Sequence, residues 1–273
     1  MFSPDVLLNN SSEYVFYYGH DIYGNKLSTV PTLKEFFEGV DDNGEKTRKI
    51  APFQPIYTAG YIQDKFAIED LIFNVGLRID RYDANQKVLK DKYLLYPAYT
   101  VDTELSASDV ISTTNHPSNI GGDYVVYVDD VANPSTIVGY RNGDDWYDSG
   151  GRKISDPTLL SEAAGGSIAP YLGPTVASEA INNNISADAA FEDYTPEIIF
   201  MPRIAFSFPI SDEAQFFAHY DVLTQRPPGY NRLDPVGYLF LANDVGATLN
   251  NPDLKPERTI DYELGFAKTL SLK

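Results

Sequence analysis

Two short runs place ionisable side chains two residues apart. Arg78 and Asp80 stand in NVGLRID, and His219 and Asp221 stand in FFAHYD. On an extended strand, residues at i and i+2 point to the same side, so each pair shares a face. A His–Asp pair could relay a proton or bind a metal, and an Arg–Asp pair could hold a partner surface. A polar wall explains both pairs without chemistry. Asp144, Asp145 and Asp148 in RNGDDWYDSGG, with Asp41, Asp42 and Glu45 in DDNGE, offer hard oxygen ligands. Neither run has the spacing of a twelve-residue calcium loop, and Asx turns with solvated acids explain them. No HxxxH or HExxH occurs, so no metal ligand set is expected. Trp146 and Tyr147 could form an aromatic platform for a sugar or peptide, and they equally suit an anchor for a small core within their own loop. Arg226 and Tyr230 in QRPPGY could meet an anionic or aromatic ligand.

Most of these residues lie on, or just beyond, segments with an apolar residue at every second position. In Leu71–Asp80, Leu71, Phe73, Val75, Leu77 and Ile79 share one face, and Ile72, Asn74, Gly76, Arg78 and Asp80 the other. The same alternation predicts strands at 13–19, 56–66, 71–82, 198–210, 214–223 and 259–272. The facing of 56–66 is the least clear, with Tyr57, Ala59 and Tyr61 on one side and Thr58, Gly60 and Asp64 on the other. Pro202 and Pro209 each remove a ladder donor, which predicts bulges or strand ends there. The connections are unequal. Ala67–Asp70 and Ser211–Glu213 leave room only for turns, whereas 20–55, 83–197 and 224–258 are long. The 83–197 stretch predicts a hairpin of Tyr124–Val128 with Ser135–Tyr140 and a Gly/Ala-rich piece at Ser161–Pro174. Leu33–Glu38 predicts one helical turn. Residues 251–258, NPDLKPER, read as structural, because two prolines and several polar residues direct the chain back into a strand.

Composition narrows the field. The 273 residues include no cysteine, which removes disulfides, Cys-ligated zinc and thiol catalysis. The formal charge of −18 gives no basic nucleic-acid footprint, and residues 101–200 hold sixteen acids against three bases. No run of about 18 apolar residues exists, so a spanning helix is excluded. Barrel strands need only about 9–11 residues, and short turns at one rim with long loops at the other fit a transmembrane barrel. The start, MFSPDVLLNN, lacks a basic apolar leader, and TLSLK stops while the strand pattern still runs. The first leaves two expectations, a chain that is not exported or one whose true start is missing, and the second favours a fragment.

The fold class expected is therefore all-β: about six strands of a transmembrane antiparallel β-barrel with long extracellular loops. Four stretches carry a resemblance: YIQDKF at 61–66, NVGLRIDRYD at 74–83, MPRIAFSFPISDEAQFFAHYDVLTQRPPGY at 201–230 and NPDLKPERTIDYELGF at 251–266. Together they resemble TonB-dependent outer-membrane receptors, in particular those of the Bacteroidetes type with a carboxypeptidase-like regulatory domain. The resemblance implies a barrel of about 22 strands closed by a plug, in the outer membrane of a Gram-negative bacterium. It implies uptake of a ferric chelate, oligosaccharide, peptide or similar nutrient, with energy from the TonB complex and a surface lipoprotein as a partner. It implies no enzyme activity and no cofactor. Residues 1–273 are then expected to be part of the barrel domain, with the plug and TonB box outside them and 83–197 as an extracellular loop. Arg78, Asp80, His219 and Asp221 become lumen or plug contacts, and Trp146, Tyr147, Arg226 and Tyr230 extracellular ligand contacts. A secreted β-sandwich that binds carbohydrate or acts as an adhesin is the alternative. A glycoside hydrolase needs two carboxylates at set separation, which no spacing supplies.

Overall fold

The structure is a computed structural model that describes residues 3–9, 14–106, 109–163, 165–166, 168–241 and 248–268. In chain order the elements begin with helices α1 (Pro4–Leu8) and α2 (Leu33–Glu38). Strands β1 (Ile56–Ile68), β2 (Leu71–Asp83), β3 (Lys87–Leu89), β4 (Val125–Val128), β5 (Ile137–Asn142), β6 (Asp145–Asp148) and β7 (Lys153–Ile154) follow. Next come α3 (Thr158–Ala163), β8 (Ala169–Pro170), α4 (Pro174–Ile181), α5 (Ala187–Ala190) and β9 (Phe191–Asp193). The chain ends with β10 (Glu197–Ser211), β11 (Ala214–Gln225), α6 (Pro235–Leu239) and β12 (Glu257–Lys268). The protein is all-β in class, with antiparallel sheets and little helix, and it divides into two compact units.

The sheet unit comprises residues 52–88, 193–234 and 249–273. Its five strands run in the order β1-β2-β10-β11-β12, each antiparallel to the next. Chain order is thus sheet order. Both tight turns, Glu69–Asp70 and Asp212–Glu213, lie at one end and both long connections leave from the other. Among the described residues the sheet closes no barrel, and β1 and β12 are free edges. The last expected strand is present to Lys268, and its residues 269–272 lie outside the described residues. Pro209 sits at a register shift, as its missing donor predicts. Pro202 breaks nothing: the ladder to β11 starts at Arg203, so the lost N–H falls at its end.

At the long-connection end, one amide gathers three segments. Gln86 Nε2 donates to the Pro252 carbonyl at 2.9 Å, and its Oε1 accepts the Leu233 amide at 2.8 Å. Lys255 of the NPDLKPER run pairs with Glu197 at 3.3 Å and Asp253 at 2.9 Å, its ammonium 4.2 Å from the Tyr194 ring centroid. Burial, with Glu197 nearby, pushes the Tyr194 phenol far above its ordinary range. Tyr194 packs edge-on against Tyr82, joined by Ala84 and Val88. The run therefore has the structural job its prolines suggest.

The loop unit comprises residues 1–51, 89–192 and 235–248. Its centre is the small sheet β7-β6-β5-β4-β8. β4 is buried on both faces: Val126 and Val128 pack with Val101, Ile120, Tyr140 and Tyr171, while Tyr127 packs with Val138, Trp146 and Leu160. The expected hairpin and the helical turn at 33–38 are both present. α2 starts with a capping box in which Thr32 and Glu35 satisfy each other's backbone amides. The expected strand at 13–19 is not a strand; Glu13 lies outside the described residues, and 14–19 run irregularly in this unit. Tertiary packing overrides the alternation. Tyr17 is buried with its hydroxyl donating to the Arg48 carbonyl at 3.1 Å, and the Gly19 amide donates to Ile50. Arg48 in turn bonds Asp5 at 2.7 Å and the Phe36 carbonyl at 3.0 Å.

One turn occurs three times, at Asp21–Lys26, Asp41–Lys46 and Asp148–Lys153. In each, the Asp amide donates to the carbonyl four residues on, the Asp carboxylate accepts that residue's amide, and a Gly stands three residues after the Asp. The glycines have φ of 82°, 82° and 83°, which other residues rarely adopt. The D-x-x-G-x-K spacing is the sequence signal for it. Asp21, Asp41 and Asp148 are thus turn builders.

Arg141 should be the costliest polar residue to remove. Its guanidinium, 3% exposed, bonds Asp91 at 2.6 Å, the Tyr127 hydroxyl and the Gly143 carbonyl. Since Asp91 is about one-third exposed, Arg141→Ala is expected at the low end of the range for breaking a buried pair, about 3 kcal/mol. A denaturant titration followed by the near-ultraviolet signal of Trp146 checks it. Asp129 gives a pH prediction. The Ser135 hydroxyl and amide hold its carboxyl below the ordinary 3.8, to about 2. A lowered folded value means that its contribution is complete above pH 3.8 and lost as pH falls through about 2. Loosening of the 129–136 loop in that window, and not above it, is the expected NMR result.

Candidate functional site

Register assigns the sheet's two faces. Residues directly opposite share a face, so Ile62, Phe66, Leu77, Phe73, Val75, Ile79, Phe200, Ile204, Phe206, Phe216, Tyr262, Leu264 and Phe266 lie together. Water-facing sheets carry polar residues on the side that meets water, but here the apolar face is exposed as well as the polar one. Leu264 is 70% exposed, Phe266 71% and Ile62 75%. From Leu71 to Ile79 the apolar band climbs roughly 26 Å at about 3.3 Å per residue. Near the turn end, the rings of Phe66, Phe73, Phe206, Phe216 and Phe266 form a row across all five strands, with centroids 5.1–6.2 Å apart. Beyond Ile79 the same face turns charged, with Arg81 and Asp83 paired at 2.9 Å.

The other face is polar and internally bonded. Arg78 and Asp80 meet there: Arg78 Nε donates to Asp80 Oδ1 at 2.8 Å. Tyr57, from the facing strand, donates its hydroxyl to Asp80 Oδ2 and accepts from Arg78 Nη2 at 2.9 Å. The triangle buries Asp80 to 3% exposure. Arg226 lies over the Tyr57 ring at 4.8 Å, so the structure brings Arg226 to the Arg78–Asp80 pair. The spacing of residues hid this, because Tyr57 and Arg226 reach the pair only through register and the bend after β11. Farther along, Arg203 bonds Asp221 at 3.1 Å. His219 lies between Asp261 at 3.4 Å and Glu263 at 3.8 Å on β12. His219 and Asp221 therefore have different partners and form no relay with each other. On this face Phe217 covers Gly265: a Cβ there would come within 2.8 Å of the ring tip. Among the described residues, no group of three or more His, Asp or Glu could hold a metal ion.

The loop-unit candidates separate. Trp146 is 7% exposed and packs into the core at the Tyr127 and Tyr93 rings, 4.8 and 5.3 Å away. Arg141, directly opposite on β5, puts its guanidinium 5.7 Å from the Trp146 centroid and 4.8 Å from that of Tyr93. Arg141 thus occupies the aromatic box from within, and Trp146 is a core anchor and no platform for a ligand. The Asn142-Gly143 step between β5 and β6 is the signal for this hairpin. Tyr147 points to the other side of β6, half-buried, its ring 5.3 Å from Tyr124. The Tyr124 hydroxyl and burial raise its phenol above the ordinary value. Tyr230 is 72% exposed.

No family model, curated protein or solved structure matches this chain. No helix among the described residues is long and apolar enough to cross a membrane, which says nothing of strands.

The Tyr57–Arg78–Asp80 triangle predicts strong coupling. In a double-mutant cycle with Tyr57→Phe and Asp80→Asn, a coupling energy of about 1–3 kcal/mol is expected from neighbours sharing one hydrogen-bond network. Thermal unfolding of the four variants measures it, and additive effects would show that the triangle does not act as a unit.

Proposed function

We propose that the sheet unit is part of the wall of an outer-membrane β-barrel, of the TonB-dependent receptor kind. One observation carries the reading: the whole apolar face of the sheet is exposed. The nine residues from Leu71 to Ile79 fall in the range of about 9–11 that a tilted barrel strand needs to cross a bilayer. The phenylalanine row beside the short turns stands where an aromatic girdle belongs at a membrane interface. The opposite face, with its Arg78–Asp80, Arg203–Asp221 and His219–Asp261 contacts, suits a water-filled or plugged interior. Free edges are costly in lipid, so further strands complete the wall on both sides.

The choice of receptor class rests on the four resembling stretches. On that reading the short turns face the periplasm and the long connections leave from the outer rim. The protein captures a nutrient at the cell surface and imports it with TonB-delivered energy, breaking no covalent bond. Arg78, Asp80 and Arg226 form the lumen patch nearest the outer mouth, and the exposed Tyr230 with the half-buried Tyr147 are the aromatic contacts. The ligand is a scarce or bulky nutrient such as a ferric chelate, oligosaccharide or peptide.

Neighbouring positions on opposite faces test the reading. Val75 is at mid-height of the band, and Asn74 is on the polar face. In the full-length protein, folded in bilayers, Val75→Arg should cost about 2–4 kcal/mol, and Asn74→Arg much less. Equal tolerance of both, with recovery of the protein in the soluble fraction without detergent, would overturn it.

A further inference from the structure

The apolar face carries one charge within its band among the described residues, Asp64 of β1. Register places Asp64 opposite Val75, with Phe73 and Leu77 as its diagonal neighbours. None of the three can bond a carboxylate. No hydrogen bond or ion pair joins Asp64 to any described residue, and its side chain is exposed. It stands two residues from Phe66 in the aromatic row, hence about 7 Å into the band at about 3.3 Å per residue. A carboxylate there without a partner is unfavourable. β2 occupies one side of β1, so a partner can reach Asp64 only from the free edge. Along β1 its neighbours on the same face are Ile62 and Phe66.

We propose that the free edge of β1 is covered by a strand that presents a Lys or Arg side chain to Asp64. The proposal rests on the membrane reading of the sheet and adds a specific contact to it. Because sheet order follows chain order from β1 to β12, the strand is assigned to the same polypeptide, ahead of the loop segment at 14–51. The contact is an ion pair across a ladder, sheltered from water by Ile62 and Phe66, and it fixes register as well as strand identity. A one-residue slip would carry the cation to the opposite face.

A photo-crosslinking amino acid at position 64 of the full-length protein in its own membrane tests the pairing, with position 77 as the lipid-facing control. The expected result is an internal cross-link from 64 to a strand of the same chain, one bearing a Lys or Arg on its apolar side, while 77 gives lipid adducts. Asp64→Leu should also lower the heat-unfolding midpoint, since it strands the partner's charge. Lipid adducts at 64 like those at 77, a cross-link to a separate protein, or a midpoint unchanged or raised by Asp64→Leu would each overturn the proposal and leave the membrane reading standing. Absence of lipid adducts at 77 would overturn the membrane reading itself.

Discussion

The sheet's geometry depends on one constraint: side chains of a strand alternate, and every strand here puts its apolar set on the same open face. Five strands of 12 to 15 residues hold that face in register. Exposure of so much apolar surface is unstable in water and favourable in lipid, and the difference is set by the solvent. The polar face then has to satisfy itself. It does so with ion pairs and the Tyr57 hydroxyl, and with Phe217 covering the gap at Gly265.

The loop unit obeys the opposite rule. It buries apolar residues on both faces of β4 and uses its acids to shape turns. Among the acids of residues 101–200, Asp129, Asp144, Asp148 and Asp156 are engaged by amides, hydroxyls or cations. Arg141 and Arg48, both nearly buried, tie distant segments by bonding carbonyls and carboxylates together. Guanidinium suits both places, because its fork of donors can satisfy several acceptors at once.

What the sequence made legible follows from the same contrast. β2, β10, β11 and β12 show clean alternation because one face has a single requirement, and the tight turn between β10 and β11 allows no other pairing of those two. The facing of β1 was unclear because Thr58, Gly60 and Asp64 dilute its apolar side; only pairing with β2 decides it. The aromatic alternation at 14–19 misled, since Tyr17 answers to Arg48 and not to a ladder. Trp146 beside acids fits a platform or a core anchor equally, and its cross-strand partner Arg141 and its burial make it the anchor. Tyr57 and Arg226 could not be joined to Arg78 and Asp80 by spacing, because strand register and a bend in the chain bring them there. The four motif-bearing stretches place well on strands and their rims, while the receptor class they suggest rests on the resemblance alone.

The central claim is that the open apolar face meets lipid. Photolabelling of the full-length protein in its native membrane with a lipid-soluble carbene, read by mass spectrometry, tests it without any substitution. The account predicts label at Val75, Leu77, Ile204 and Leu264, little at Asn74, Arg78 and Ala205 between them, and none on the loop unit. Label spread over both faces, or concentrated on the loop unit, would contradict it.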